Sequence, residues 1–326
     1  MIVTSIVRAA RVESAQPPYN TLHLKIFYPS QNVERKIGSF DDDVPVDTQL
    51  APFPVVIFLN GFKCGMEMYQ WLAVKLVELG LVVVTFSWIE EYFPHKIGQT
   101  PGINLKAWQP DTYGKVPSSS LLPTILTELE NLNKQGFLAG LLNLEKIILG
   151  GHSAGGRLAI ENANPGFFPQ IVAAFSYGTQ TIGPVVLGFE PNTILPLPDQ
   201  LPLLLMGGSK DISLSYLAAT SGVMGDPITP VRRTFEEGLT GGRNDSYFLI
   251  FEGANHFCIC DPLDGSLKKS FFDLNTTPQD EEFRLLMVEL ISLFIKANVY
   301  SLPEAFQALD HWLATPNPLI TCFERK

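Results

Sequence analysis

Three short clusters of residues carry the chemistry this sequence offers. The first is Gly151-His152-Ser153-Ala154-Gly155, which directly follows the apolar run Lys146–Leu149 and directly precedes a helical pattern, Gly156 to Asn162. A serine at a sharp strand-to-helix turn is held in a strained backbone conformation that exposes its hydroxyl. The residues two before and two after it must then be tiny, or their side chains collide. Both are glycine here. Such a serine is a candidate nucleophile for acyl transfer, and it needs a base and a carboxylate to orient that base.

The other two clusters are Gly207-Gly208-Ser209-Lys210-Asp211 and Glu252-Gly253-Ala254-Asn255-His256, which follow the apolar runs Leu201–Met206 and Tyr247–Phe251. The order serine, acid, histidine, each at the carboxyl end of a strand, suits a catalytic triad of Ser153, Asp211 and His256. The chain has five histidines. His23 falls in an early strand, His95 in a long aromatic segment, His311 in the tail, and His152 inside the serine turn with its ring directed away from the nucleophile. His256 alone is both downstream of the acid and at a strand end. Asp211 also precedes a helix-like stretch, Ile212 to Ala219, so helix capping is an alternative account of it. Asp199, Asp226 and Glu252 are its rivals as the acid. An acyl-transfer site also needs backbone N–H donors for the oxyanion. Ala154 supplies one, and Phe62, within Asn60-Gly61-Phe62-Lys63-Cys64-Gly65, is the choice for the second because Gly61 lets the chain turn sharply. An ordinary glycine turn would explain that segment taken alone.

The elements that must position these groups follow from hydrophobic patterning. Strands are expected near Ile2–Val12 and Thr21–Tyr28, and short apolar runs bounded by Gly or Pro stand at Val55–Leu59, Leu81–Phe86 and Lys146–Leu149, then at Ile171–Phe175, Leu201–Met206 and Tyr247–Phe251. Continuous apolar runs of this length suit parallel strands covered on both faces. Helical spacing lies between them at Met68 to Leu79 and Leu121 to Leu132. The alternation predicts an α/β fold, a doubly wound, mostly parallel central sheet flanked by helices, in a single domain spanning residues 1–326. Asp280 to Asn298 is expected as a terminal amphipathic helix.

Two stretches rich in Pro, Gly and aromatic residues interrupt the alternation, residues 89–120 and 176–200, and are expected as lid or pocket insertions. Phe93 and Trp108, with Tyr92 and Tyr113, either pack on the body or line a ligand. Met66, Met68, Trp71 and Trp88 either line an acyl pocket or form plain core. Met66, Trp88, Phe93, Trp108 and Tyr177 are the candidate substrate-binding residues. Glu90 and Glu91 near the mouth would disfavour anionic substrates. Cys258 and Cys260 flank His256 and read as buried thiols; only Cys64 lies in another of these loops, so neither a metal nor a cofactor is expected.

Bulk composition narrows the class of protein. With 46% hydrophobic and 17% charged residues the chain is globular, and its net charge of −10 with no cluster of Lys and Arg excludes a nucleic-acid partner. Asp41, Asp42 and Asp43 read as a solvated loop, a metal site being the weaker alternative for want of further ligands. Met1 to Val12 reads as a first strand and not a signal, because its Arg8 and Arg11 follow the apolar part. No apolar run reaches the length of a membrane span, and four scattered cysteines lead to the expectation of a reducing cytoplasm.

Asn60-Gly61-Phe62, the Gly-His-Ser-Ala-Gly-Gly at 151–156, the Gly-Gly-Ser-Lys-Asp stretch and Ala-Asn-His together resemble the α/β-hydrolase superfamily over about Val55 to Phe257. Within it the chain is similar to the branch of dienelactone hydrolases, cutinase-like polyester hydrolases, platelet-activating-factor acetylhydrolases and chlorophyllases. Where chlorophyllases often carry Arg after the serine and Asp after the next strand, this chain has Ala154 and Ser176-Tyr177-Gly178. Where the usual dienelactone hydrolases use cysteine, it has Ser153. The resemblance implies a serine esterase or lipase acting on a small-molecule hydrophobic ester, lipid-like, aryl or chlorophyll-type, without a cofactor. An acyltransferase using the same triad is the enzymatic alternative. A non-catalytic binding protein on the same scaffold is the other, and it has no reason to keep all three residues.

Overall fold

Strands without a polar face must be covered on both sides, and in the computed structural model they form the middle of one large sheet. The structure describes residues 2–32, 44–93, 95–269, 274 and 276–326, so Asp41–Asp43 lie outside the described residues. An antiparallel hairpin, β1 (Ile2–Arg11) and β2 (Thr21–Ser30), forms one margin. There follow β3 (Phe53–Leu59), α1 (Gln70–Val77) and β4 (Val82–Ser87), then a separate two-stranded hairpin of β5 (Ile89–Phe93) and β6 (Lys96–Gln99). The chain continues through α2 (Leu122–Lys134), β7 (Leu142–His152), α3 (Ser153–Glu161), β8 (Ile171–Tyr177) and β9 (Leu203–Gly208). Helices α4 (Ile212–Ala219) and α5 (Thr229–Gly238) precede β10 (Tyr247–Phe251), and α6 (Asp280–Asn298), α7 (Pro303–Ala314) and β11 (Ile320–Arg325) complete the order.

The large sheet runs β1-β2-β4-β3-β7-β8-β9-β10-β11. The six strands from β4 to β10 are parallel, and β1, β2 and β11 add antiparallel margins. Every residue of β3 and of β10 is buried. Successive side chains of a strand point to opposite faces, and β3 feeds two cores accordingly. Val55, Ile57 and Leu59 join the cluster that includes Ile125 and Leu129 of α2, Leu158 of α3 and Phe235 of α5. Val56 and Phe58 join the cluster that includes Leu72 of α1, Phe283 and Leu290 of α6 and Leu309 of α7. This is an α/β fold with a mostly parallel central sheet and helices on both faces. No helix among the described residues is long and apolar enough to cross a membrane.

Asp280–Asn298 is a helix with the expected bounds, but it is not the terminal element. The chain goes on through α7 and returns as β11 against the outer edge of β10. The segment 89–120 likewise contains regular structure, the β5–β6 hairpin, followed by a bridge between Ile103 and Ser119.

Candidate active site

Parallel strands deliver their loops to one edge, and the candidate residues sit on the loops that follow β3, β7, β8, β9 and β10. At the β7–α3 junction Ser153 has φ 56, in the left-handed region that a side chain rarely adopts. Strain of this kind costs about 1–3 kcal/mol and persists only where surrounding structure enforces it. The two flanking glycines show how it is enforced. A Cβ on Gly151 would stand 2.4 Å from the Gly155 carbonyl oxygen, and one on Gly155 would stand 2.2 Å from the Leu59 carbonyl oxygen. The turn is thus pressed against its own helix on one side and against the end of β3 on the other.

His256 and Asp211 are both buried. Nδ1 of His256 donates to Oδ2 of Asp211 at 2.8 Å, while Oδ1 of Asp211 accepts from the Leu214 N–H at 2.8 Å. The helix-cap role and the role of histidine partner therefore coexist, one oxygen for each. With its Nδ1 proton on the carboxylate, His256 keeps Nε2 as a proton acceptor. Gly178, at the end of β8 with φ 61, lies on this pair: a Cβ there would approach His256 Nδ1 to 3.0 Å and Asp211 Oδ2 to 3.1 Å.

The loop after β3 is tied from within. The Asn60 side-chain amide donates to the Cys64 carbonyl at 2.5 Å, and the Gly61 N–H donates to the Tyr69 hydroxyl at 3.0 Å. Within this sharp turn the positive backbone angle is at Lys63, φ 64. Gly61 is needed for space, since a Cβ would stand 2.8 Å from Nδ1 of His152. The Ala154 N–H lies in the first turn of α3, where backbone donors have no acceptor within the helix.

Ser153, Ala154, Phe62 and Gly178 share the wall of a cavity of about 470 Å³, within the range of small-molecule sites. Its remaining walls are mostly apolar. Residues 89–120 contribute Ile103 and Trp108, residues 176–200 contribute Ile182, Pro184 and Val186, and α4 contributes Leu214 and Leu217. A buried network fastens these segments to α3: Arg157 pairs with Glu161 at 2.7 Å and donates to the Ile182 carbonyl at 3.0 Å, and the Trp108 indole donates to Glu161 at 2.7 Å. The Arg157 guanidinium also lies 4.3 Å from the centre of the Trp108 ring system. Thr179, Gln180, Leu214 and Leu217 had no distinguishing sequence signal. Arg157 had one, the i,i+4 spacing to Glu161 on a helix otherwise small and apolar.

Met66, Trp88 and Tyr177 are not on this wall. Trp88 faces a second, more open cavity of about 790 Å³ with Glu90, Glu91 and Tyr92, and Phe62 and Ile103 border both cavities. The Trp88 indole donates to the Tyr19 carbonyl at 2.8 Å. Met66 is half-buried in a short turn, its N–H directed to Ser87 Oγ, and Met68 belongs to the core. The Trp71 indole donates to the Ile259 carbonyl at 2.7 Å. Phe93 closes β5 opposite Lys96, and its side chain is outside the described residues. Tyr113 lines a third cavity, of about 220 Å³, together with Glu161 at the far end of α3. Tyr177 is buried behind the site, where its hydroxyl donates to the Asn255 carbonyl at 2.6 Å and accepts from the Cys258 thiol at 3.0 Å. It braces the loop that carries His256. Burial pushes the Cys258 thiol up to about 12, which leaves it protonated and inert.

His152 has a larger part than its sequence position suggests. It is fully buried, Nε2 meets the His256 carbonyl at 2.9 Å, and Nδ1 meets the Tyr69 hydroxyl at 2.9 Å. A carbonyl only accepts, so Nε2 carries the proton; burial holds the ring below its ordinary pKa and keeps it neutral. No family model matches the sequence, and no curated protein matches it either.

Proposed function

We propose that this chain is a serine hydrolase of the α/β-hydrolase type, a carboxylesterase or lipase-like enzyme that cleaves hydrophobic esters through an acyl-enzyme. The observation that carries this reading is Ser153 held at φ 56 between two close-packed glycines, on the same sheet edge as a buried histidine–carboxylate pair. In the first step Nε2 of His256 takes the proton of Ser153 as Oγ bonds to the ester carbonyl carbon. The carbonyl oxygen becomes an oxyanion and receives the N–H groups of Phe62 and Ala154, each such donor contributing about 10²–10³ in rate. The imidazolium, steadied by Asp211, gives its proton to the leaving alkoxide, and the alcohol departs. Water then attacks the acyl-enzyme by the same sequence and releases the acid. The apolar cavity favours a neutral, water-poor acyl or alcohol group.

The test is a fluorophosphonate probe with peptide mapping, followed by kinetics on p-nitrophenyl esters. The label is expected on Ser153, and Ser153→Ala is expected to lose it together with at least about a thousandfold of the turnover, with an unchanged melting curve. Ester turnover within tenfold of wild type in that variant would remove the proposal.

A further inference from the structure

Three side chains far apart in the sequence converge behind the serine turn. Cys64 comes from the loop after β3, His152 is the last residue of β7, and Cys260 lies beyond His256. Their ligand atoms, the two Sγ atoms and a ring nitrogen of His152, all lie within 4.8 Å of one another, and all three residues are buried. Cys260 Sγ is 3.9 Å from His152 Nδ1. With metal–sulfur bonds of about 2.3 Å and metal–nitrogen bonds of about 2.0 Å, a tetrahedral zinc site has ligand–ligand edges of about 3.5–3.8 Å. The three atoms are thus near coordination distance already.

We propose that Cys64 Sγ, His152 Nδ1 and Cys260 Sγ bind a single thiophilic divalent ion of the zinc class, which joins the three backbone segments supporting Phe62, Ser153 and His256. Four observations point the same way. The donor set of two thiols and an imidazole is the one that soft ions select. Its charge closes: two thiolates, a neutral imidazole and a divalent cation sum to zero, as a site without solvent requires. The imidazole is in the tautomer a metal needs, since Nε2–H is committed to the His256 carbonyl and Nδ1 is the acceptor nitrogen, its lone pair receiving the Tyr69 hydroxyl at 2.9 Å until an ion displaces that bond; metal-binding histidines are commonly oriented by such a bond to a backbone carbonyl. Room is also preserved, because a Cβ at residue 61 would stand 2.8 Å from Nδ1 and 3.2 Å from Cys64 Sγ. The Tyr69 hydroxyl accepts from the Gly61 N–H at 3.0 Å, so it can turn its proton away from Nδ1 and stay hydrogen-bonded. On binding, each thiol loses its proton to solvent and each sulfur forms one bond to the ion; no electron is transferred.

The ion would be structural, enclosed and one shell removed from Ser153, so the proposal is independent of the esterase reading. The test uses the full chain purified under reducing conditions, examined by native and elemental mass spectrometry. One zinc-class ion per chain is expected. Cys64→Ser with Cys260→Ser is expected to lower bound metal at least about tenfold, while Cys322→Ser retains it. Because core substitutions can block folding, the wild type is also unfolded in chelator and refolded with cobalt(II) as the only metal. Thiolate-to-cobalt charge-transfer absorption and tetrahedral d–d bands are expected. The proposal is overturned by refolded protein that takes up neither cobalt nor zinc, by a double variant that keeps its ion, or by a native mass lower by two hydrogens with a peptide linking Cys64 to Cys260. Metal content and fluorophosphonate labelling are read separately, so failure of either proposal is visible without the other.

Discussion

One oxygen of Asp211 accepts from the Leu214 N–H and the other from His256 Nδ1, and a single substitution separates the two duties. In Asp211→Asn the amide oxygen can still cap α4, which turns the amide nitrogen towards His256 as a donor. The imidazole must then carry its proton on Nε2 and cannot accept one from Ser153. Ester turnover is expected to fall by about 10⁴, while stability in urea changes by no more than about 1 kcal/mol because the cap survives. A loss of turnover below tenfold would reduce Asp211 to a cap. At the same scale Tyr177 has a bracing role, since its hydroxyl donates to the Asn255 carbonyl and accepts from the Cys258 thiol in the loop that carries His256.

At the scale of elements, α4 is capped by the acid at one end and presents Leu214 and Leu217 to the cavity further on. Leu217 is half-exposed, so a larger side chain there can intrude on the cavity without overfilling the core. Leu217→Trp is expected to lower kcat/KM at least about tenfold for long acyl esters and to leave acetyl esters within about twofold. An equal effect on both would show that this part of the cavity does not hold the acyl chain. What sequence reading located here follows a physical pattern. β3, β9 and β10 were legible because burial on both faces leaves no polar position, and Ser153, Asp211 and His256 because each closely follows a buried apolar run. β11 was not legible: an edge strand is half-exposed, so Ile320-Thr-Cys-Phe-Glu-Arg carries little apolar signal. In α5, Val231 and Phe235 are the only large apolar side chains buried against the body, amid Arg and Glu pairs at i,i+4. Which side chains of residues 176–200 reach the cavity, and the Cys64–His152–Cys260 cluster, depend on long-range folding that no local spacing records.

Across the whole molecule, the margins of the sheet protect its parallel centre. β11 covers β10, and the Leu319 carbonyl accepts from the Glu252 N–H at 2.8 Å, where the loop to His256 begins. A chain shortened to end at Asn317 would leave the wholly apolar β10 as an open edge. It is expected to melt at least about 5 °C lower and to associate, seen as a rise in light scattering; unchanged melting and a monodisperse chain would show that β11 is dispensable. The common direction of the six central strands has another outcome. Ser153, Asp211, His256 and the cavity all gather at the strands' carboxyl ends, whereas the opposite ends are exposed at Glu145, near the start of β7, and in the turns bearing Gln200 and Gly242. The protein therefore has a front and a back, and a tether attached at Glu145 or Gly242 would immobilise it on a bead or electrode with its mouth turned to the flowing solution.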